Sequence, residues 1–469
     1  MHQSGSILLV SCYELGHPPF ALASPVAFLQ RAGYSPSVLD LSVTPFDEEK
    51  VARATFVGIS VPMHTALRLG VRVAERVREI SPSCHICFYG LYASLNSEYL
   101  LEHFADSVIG GEFEGPLLAL IKALPRTEAQ KEFQDHVLEI AGVSFRDRMS
   151  APFLERLSFT RPSYRGLPPL SKYAKVVRNG TQGLAGYVEA SRGCLHHCRH
   201  CPIPPVYNGR FFVVPEAIVL ETIRDRVGAG ATHITFGDPD FLNGPGHSLR
   251  IVRAMHKEFP NLTFDFTAKV EHLLKRRSLL PEFAEAGCLF VVSAFESLSD
   301  VVLANLDKGH SRKDIEVLVE IFRKVGITLR PTWVPFTPWT TLDDYIDLLE
   351  FIHAEQIVNN VDPVQYSLRL LIPPGSALLH HSEIKPFLRA LDQESFAYRW
   401  SHPDPRMDQL QEEITVTIEQ MTQAKKAAPA IFERVRQLAY AARGEKATPL
   451  LHDFVPLIEP PRLTEPWFC

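Results

Sequence analysis

Short apolar runs alternate with amphipathic stretches from the start of the chain. Residues 6–10, 37–41, 56–60 (FVGIS), 84–89 (CHICFY) and 107–109 are apolar and only a few residues long, as buried strands are. Between them, 25–32, stopped by Gly33, and 66–80 carry helical spacing. Apolar strands alternating with helices predict an α/β fold over residues 1–125, a doubly wound, Rossmann-like parallel sheet. Such sheets take ligands at the carboxyl ends of their strands, and the turns there, 58–63, 90–93 and 110–115, suit close ligand approach.

From 126 to 183 the periodicity weakens. Charges cluster, and Pro162, Gly166, Pro168 and Pro169 break regular structure, so the stretch reads as a linker. Alternation resumes at Gly186, with strand-like runs at 187–190, 233–236, 262–266, 289–295, 328–336 and 364–372. Ile315, Leu318, Val319 and Phe322 mark one helix face between them. These βα units predict a partial (β/α)6 barrel over 184–375, with its chemistry at the strand carboxyl ends. Residues 376–469 read as a helical C-terminal region, with helices near 407–421 and 430–442 and a Pro-rich tail.

At 469 residues the chain exceeds what one hydrophobic core organises. The net charge is −6 and the basic residues are scattered. The densest run, Lys275-Arg276-Arg277, reads as a solvated helix start, so nucleic acid is not an expected partner. The first residues carry no charged leader, and no apolar run is long enough for a membrane span, so a cytoplasmic protein is expected. Eight cysteines in a chain this long are not a disulfide framework; in a reducing compartment clustered thiols hold metal.

The cluster is in SRGCLHHCRHCPIPP, directly after the first barrel strand: Cys194, Cys198 and Cys201, spaced Cys-x3-Cys-x2-Cys. Three thiolates on one loop can ligate three irons of a [4Fe–4S] cubane and leave the fourth open, where a cluster otherwise takes four cysteines. The competing reading is structural zinc, with His196, His197 and His200 as spare ligands. Its paired hairpin spacing is absent.

This spacing, at this place, resembles the radical S-adenosylmethionine superfamily, over about residues 184–375. His200 stands where the family usually has an aromatic residue. The resemblance implies a partial barrel, a [4Fe–4S] cluster, S-adenosylmethionine and a protein electron donor such as flavodoxin or ferredoxin. It also implies reductive cleavage to a 5′-deoxyadenosyl radical. For S-adenosylmethionine it points to Gly237 and Asp238 in the turn after the second strand and Lys269, beside Glu271, after the third. It adds Ser293 and Glu296 on the fourth strand, Arg330 on the fifth and Arg369 on the sixth.

The first domain resembles the cobalamin-binding domain that precedes the barrel in one branch of that superfamily, through GISVPMHTA, YGLYASLN and VIGGEFEGP. That likeness points to Ser60, Met63, Gly90, Ala93, Gly110 and Gly111 around cobalamin. The family's Asp-x-His-x-x-Gly is missing. The first loop reads SCYELGHPP, so no cobalt-binding histidine is expected from that motif, His17 included. Cys12, Cys84, Cys87 and Cys288 read as small buried hydrophobes. Both halves and the final Cys469 resemble radical S-adenosylmethionine proteins with a Cys-Cys-Ala-Glu-Pro terminus, in some of which the second cysteine is selenocysteine. A selenocysteine codon read as stop, with Cys469 in a redox tail, is therefore an expectation.

The leading expectation is a radical enzyme that transfers a methyl group from methylcobalamin to an unactivated carbon. An oxidoreductase or rearrangement enzyme without methyl transfer is the second. An iron–sulfur redox sensor is the non-enzymatic alternative, and a tRNA methylthiolating enzyme would need further cluster cysteines. The substrate, a small molecule or a peptide, is not legible.

Overall fold

The computed structural model describes residues 5–124, 139–450 and 459–465. The first sheet contains β1 (Ile7–Ser11), β2 (Ser37–Asp40), β3 (Phe56–Ser60), β4 (His85–Tyr89), β5 (Ser107–Ile109) and β6 (Val143–Ser144), in the order β2-β1-β3-β4-β5-β6. The first five are parallel, and β6 returns antiparallel to β5. Alternate strand residues feed two cores. Leu8, Val10, Val57, Ile59, Ile86 and Phe88 pack with Leu67, Ala74 and Val77 of helix His64–Ile80. Ile7, Leu9, Phe56, Cys87 and Tyr89 pack with Leu22 and Val26 of helix Phe20–Arg31. Both faces are covered, as double winding requires. That second helix starts well before the expected position 25, because Pro25 sits inside it. Pro25 has no N–H to give the Ala21 carbonyl, which instead accepts from the Tyr89 hydroxyl at 2.9 Å.

The stretch expected as a linker is largely not one in its described part. β6 extends the first sheet, and Phe153 bridges Gly111. β7 (Lys175–Arg178) and β8 (Thr181–Val188) then form a hairpin that enters the second sheet. Turn residues obscured these pairings, since each strand is short and its partner is remote or across a tight turn. After the hairpin come β9 (Ser191–Gly193), β10 (Phe211–Val213), β11 (His233–Phe236), β12 (Thr263–Thr267), β13 (Cys288–Glu296), β14 (Thr328–Trp333), β15 (Leu388–Asp392), β16 (Ala397–Trp400) and β17 (Arg462–Leu463). The second sheet runs β14-β13-β12-β11-β8-β7-β17, parallel from β8 to β14 and antiparallel at β7 and β17. It curls into a half barrel, and the alternate strand residues Ile234, Phe264, Phe266, Val291 and Leu329 pack outward against the helices in a large aromatic and aliphatic core.

The run at 364–372 is not a sixth strand. Pro363 opens a 3-10 turn, Pro363–Tyr366, and Pro373 and Pro374 follow closely. Only one bridge survives: Leu370 N–H donates to the Phe336 carbonyl at 2.8 Å, and Phe336 N–H to the Leu368 carbonyl at 3.2 Å. The C-terminal region contains helices Pro405–Gln423 and Ala428–Ala442, plus the unforeseen hairpin of β15 and β16. Among the described residues, no helix is long and apolar enough to cross a membrane.

Candidate functional site

β9 and β10 pair antiparallel and hold the ends of the loop that carries the three cysteines. Gly193 begins the loop at φ +73°, where a Cβ would come within 2.4 Å of the Arg210 carbonyl oxygen, so no other residue fits. The Ala190 N–H and the Ser191 hydroxyl donate to Asp238 at 2.9 and 2.6 Å. The Leu195 N–H donates to Asn243 Oδ1 at 3.3 Å, and the Arg199 N–H to the Leu306 carbonyl at 2.9 Å. Cys194 and Cys198 are buried, Cys201 half-buried, and none forms a disulfide.

Burial pushes the Cys194 thiol up and the Cys201 thiol to about 12. Thiols so placed ionise only against a positive charge, which is what iron provides. The donor set therefore fits a metal cluster held by Cys194, Cys198 and Cys201. The neighbouring imidazoles have other partners. His200 Nε2 meets Glu296 at 3.2 Å, while His196 lies 3.4 Å from both Asp240 and His272. His272 Nδ1 is 2.9 Å from the same Asp240 oxygen. Among the described residues, His196, Asp240 and His272 bring one ligand atom each within 4.8 Å of one another, a grouping that could hold a metal ion of its own.

The residues pointed to for the nucleoside divide into groups. Asp238, buried and pushed up to about 7, anchors the start of the cysteine loop. Gly237 lies against Tyr187, whose ring a Cβ would strike at 1.9 Å. Lys269 Nζ approaches His196 Nδ1 at 3.3 Å and Glu271 at 3.5 Å. The Ser293 hydroxyl donates to the Ala268 carbonyl at 2.9 Å. Glu296 sits at φ +66° with Lys308 Nζ at 3.1 Å. Burial pushes its carboxyl up, but Lys308 and His200 outweigh that and hold it at about 2. Arg369 points away, stacked 3.5 Å over the Trp400 ring and paired with Asp408 at 2.7 Å.

A cavity of about 610 Å³ opens between the carboxyl ends of the first sheet and the interior of the second. Cys201, Gly237, Asp238 and Arg330 reach it from the barrel side, and Ser60, Met63, Gly90 and Gly111 from the first domain. Ala93 and Gly110 are packed behind it, Gly110 against Ser94. Ser60 Oγ is buried without a hydrogen-bond partner in the cavity wall. An orphaned polar atom on an enclosed wall, beside glycines at φ +104° and +80°, fits a large polar cofactor pressed against the backbone. Glu14 and His17 also face the cavity; burial pushes Glu14 up to about 8 and His17 down to about 4.

Sequence reasoning missed the group that joins the two halves. Arg192, buried, makes contacts with Glu112 at 3.1 Å, Glu114 at 2.7 Å and Glu189 at 2.8 Å. Its guanidinium also lies between the rings of Phe20, Phe113 and Phe159. The arginine two residues before Cys194 and the acidic pair of GGEFEGP were the visible signals. Cys12, Cys84, Cys87 and Cys288 are buried, with thiols pushed up by burial. Cys469 lies outside the described residues.

Residues 188–352 match the model of the Radical SAM superfamily, so the chain carries a radical S-adenosylmethionine domain and is an enzyme. That domain implies a [4Fe–4S] cluster and S-adenosylmethionine. Among particular proteins, the chain is 22% identical over 398 residues to anaerobic magnesium-protoporphyrin IX monomethyl ester cyclase of Synechocystis sp., covering 81% of this chain and 76% of the relative. Its fold is similar to OxsB, a cobalamin-dependent S-adenosylmethionine radical enzyme solved with aqua-cobalamin and S-adenosylmethionine bound. The TM-score is 0.71 at 15% identity, over 89% of this chain and 67% of that one. It is also similar to TsrM from Kitasatospora setae, a radical S-adenosylmethionine methyltransferase solved with cobalamin and a [4Fe–4S] cluster. There the TM-score is 0.59 at 18% identity, over 75% of this chain and 73% of that one.

Proposed function

We infer that this chain is a cobalamin-dependent radical S-adenosylmethionine enzyme that methylates an unactivated carbon. The observation that carries the reading is the shared cavity: one continuous space meets Cys201 on one side and the carboxyl ends of the first sheet on the other. Bound there, the cluster supplies an electron to the sulfonium and cobalamin supplies a transferable methyl group. The chain's part is to orient and to exclude water. Asp238 fixes the cysteine loop to β11, Arg192 locks that loop to the first domain, and Phe113, Tyr187 and Phe290 keep the cavity wall apolar.

The test is anaerobic reconstitution with iron, sulfide and cobalamin, followed by product analysis. Methyl transfer predicts both S-adenosylhomocysteine and 5′-deoxyadenosine, with about four irons and one cobalt per chain. Alanine at Cys194, Cys198 or Cys201 is expected to abolish iron loading and nucleoside cleavage together. Retention of both by any of these variants overturns the reading. A second reading, oxidoreduction or rearrangement without methyl transfer, is favoured by the likeness to a cyclase. It predicts 5′-deoxyadenosine alone and no cobalt retained after reconstitution.

A further inference from the structure

The part of the cavity enclosed by the curled sheet is walled by matched strand positions. Thr235, Asp265 and Phe290 are in register on β11, β12 and β13, and all three face the cavity. Thr267, Val292 and Arg330 form the next such level, on β12, β13 and β14. The polar groups of the first level are already paired, since Asp265 accepts from His233 at 2.8 Å and Thr235 at 2.7 Å. Arg330 is different. It is 7% exposed, its Nη2 donates to Asp362 at 2.9 Å, and its Nη1 is buried with no partner.

A buried guanidinium donor with nothing to bond is costly unless a ligand completes it. Of the nucleoside candidates, Lys269, Ser293 and Glu296 lie outside the cavity, each with a partner of its own, whereas Gly237 and Asp238 reach its wall. Of the two arginines on that wall, Arg192 is spent on three glutamates, so Arg330 has the donor left for a guest of the cavity. The charge of that guest follows from the surroundings. Asp362 and Asp265 also face the space, as do Glu14, Glu189, Asp238 and Glu465, so a dianion such as phosphate is repelled, while a monoanionic carboxylate can share the guanidinium with Asp362. Phe290, Val292, Leu371 and Leu463 supply apolar wall around it.

We propose that Arg330 anchors a carboxylate of the substrate, so that the substrate is an organic acid with an apolar body. This rests on reading the cavity as the reaction chamber, and it assigns to that chamber a class of substrate.

The experiment uses cluster-loaded enzyme with saturating S-adenosylmethionine, and 4-phenylbutyrate against uncharged 4-phenylbutan-1-ol as probes in ligand-observed NMR. The acid is expected to bind saturably in the millimolar range and more tightly than the alcohol. Arg330→Met and Arg330→Gln should weaken the acid about tenfold or more, leaving the alcohol and S-adenosylmethionine binding unchanged. Asp362→Asn, which frees the guanidinium, should hold or tighten the acid. That variant alone decides the matter should the Arg330 variants fail to load a cluster: weakened acid binding there counts against the anchor. The proposal is overturned by no saturable binding of the acid, equal binding of acid and alcohol, or Arg330→Met leaving the acid unaffected. It is equally overturned if Arg330→Met loses S-adenosylmethionine while retaining the probe, which puts the guanidinium on the nucleoside. Substrate-free formation of 5′-deoxyadenosine by the wild type is read in parallel. Its loss together with that of cobalt retention counts against the proposed function, whereas probe selectivity bears on Arg330 only.

Discussion

Lys308 and Glu296 show how a buried charge is kept in place. Lys308 is 3% exposed, and its ammonium lies 3.1 Å from a carboxylate held at an unfavourable positive φ. Removing one partner leaves the other buried and uncompensated. Lys308→Met is expected to cost about 3–5 kcal/mol, and adding Glu296→Gln to recover part of it, as measured by denaturant unfolding. Glu14 makes the opposite case. Burial lifts its carboxyl to about 8 from an ordinary value near 4.5, so folding favours the protonated form. Its contribution is fully present below the unfolded value and is lost as pH rises through about 8. The cofactor-free protein should lose melting temperature over that window, and Glu14→Gln should flatten the slope. An unchanged slope would show that Glu14 does not carry it. Neither the Lys308–Glu296 contact nor the burial of Glu14 was legible in the sequence. The cysteine trio was, because its three members share one loop, whereas Arg192 finds Glu112 and Glu114 some 80 positions away.

Among the elements, the strands and helices of both sheets could be read because their apolar periods are strong. The helix 312–325 even carries its own capping box at Ser311 and Asp314. What failed were segments whose structure depends on distant backbone. β6 is two residues long, and the run at 364–372 is apolar enough for a strand but is cut short by prolines at both ends. The strap 143–153, held by the β5–β6 pairing and by Arg146, makes its tightest approach at Gly111. Gly111 has φ +80°, and a Cβ there would sit 2.2 Å from the Phe153 carbonyl oxygen. Gly111→Ala is expected to destabilise by roughly 1–3 kcal/mol and to free the strap to proteases. Unaltered proteolysis at 143–153 would contradict this.

At the scale of the molecule, Arg192 is the rivet between the halves, and the halves share the cavity. With Arg192→Met, Glu112, Glu114 and Glu189 lose their common countercharge. Hydrogen exchange is expected to quicken together at 111–114 and 189–193, with lower iron content after reconstitution. Exchange confined to one side would mean the halves are held otherwise. The far edge of the second sheet closes differently. There β17 covers β7 for two residues, its Thr464 N–H donates to the Lys175 carbonyl at 2.8 Å, and Glu465 accepts from the Tyr13 hydroxyl at 3.1 Å. This small selvedge keeps β7 from presenting raw peptide groups to another molecule. A chain cut before residue 459 should therefore retain its half barrel yet stick to its own copies in solution, growing turbid where the longer chain stays clear.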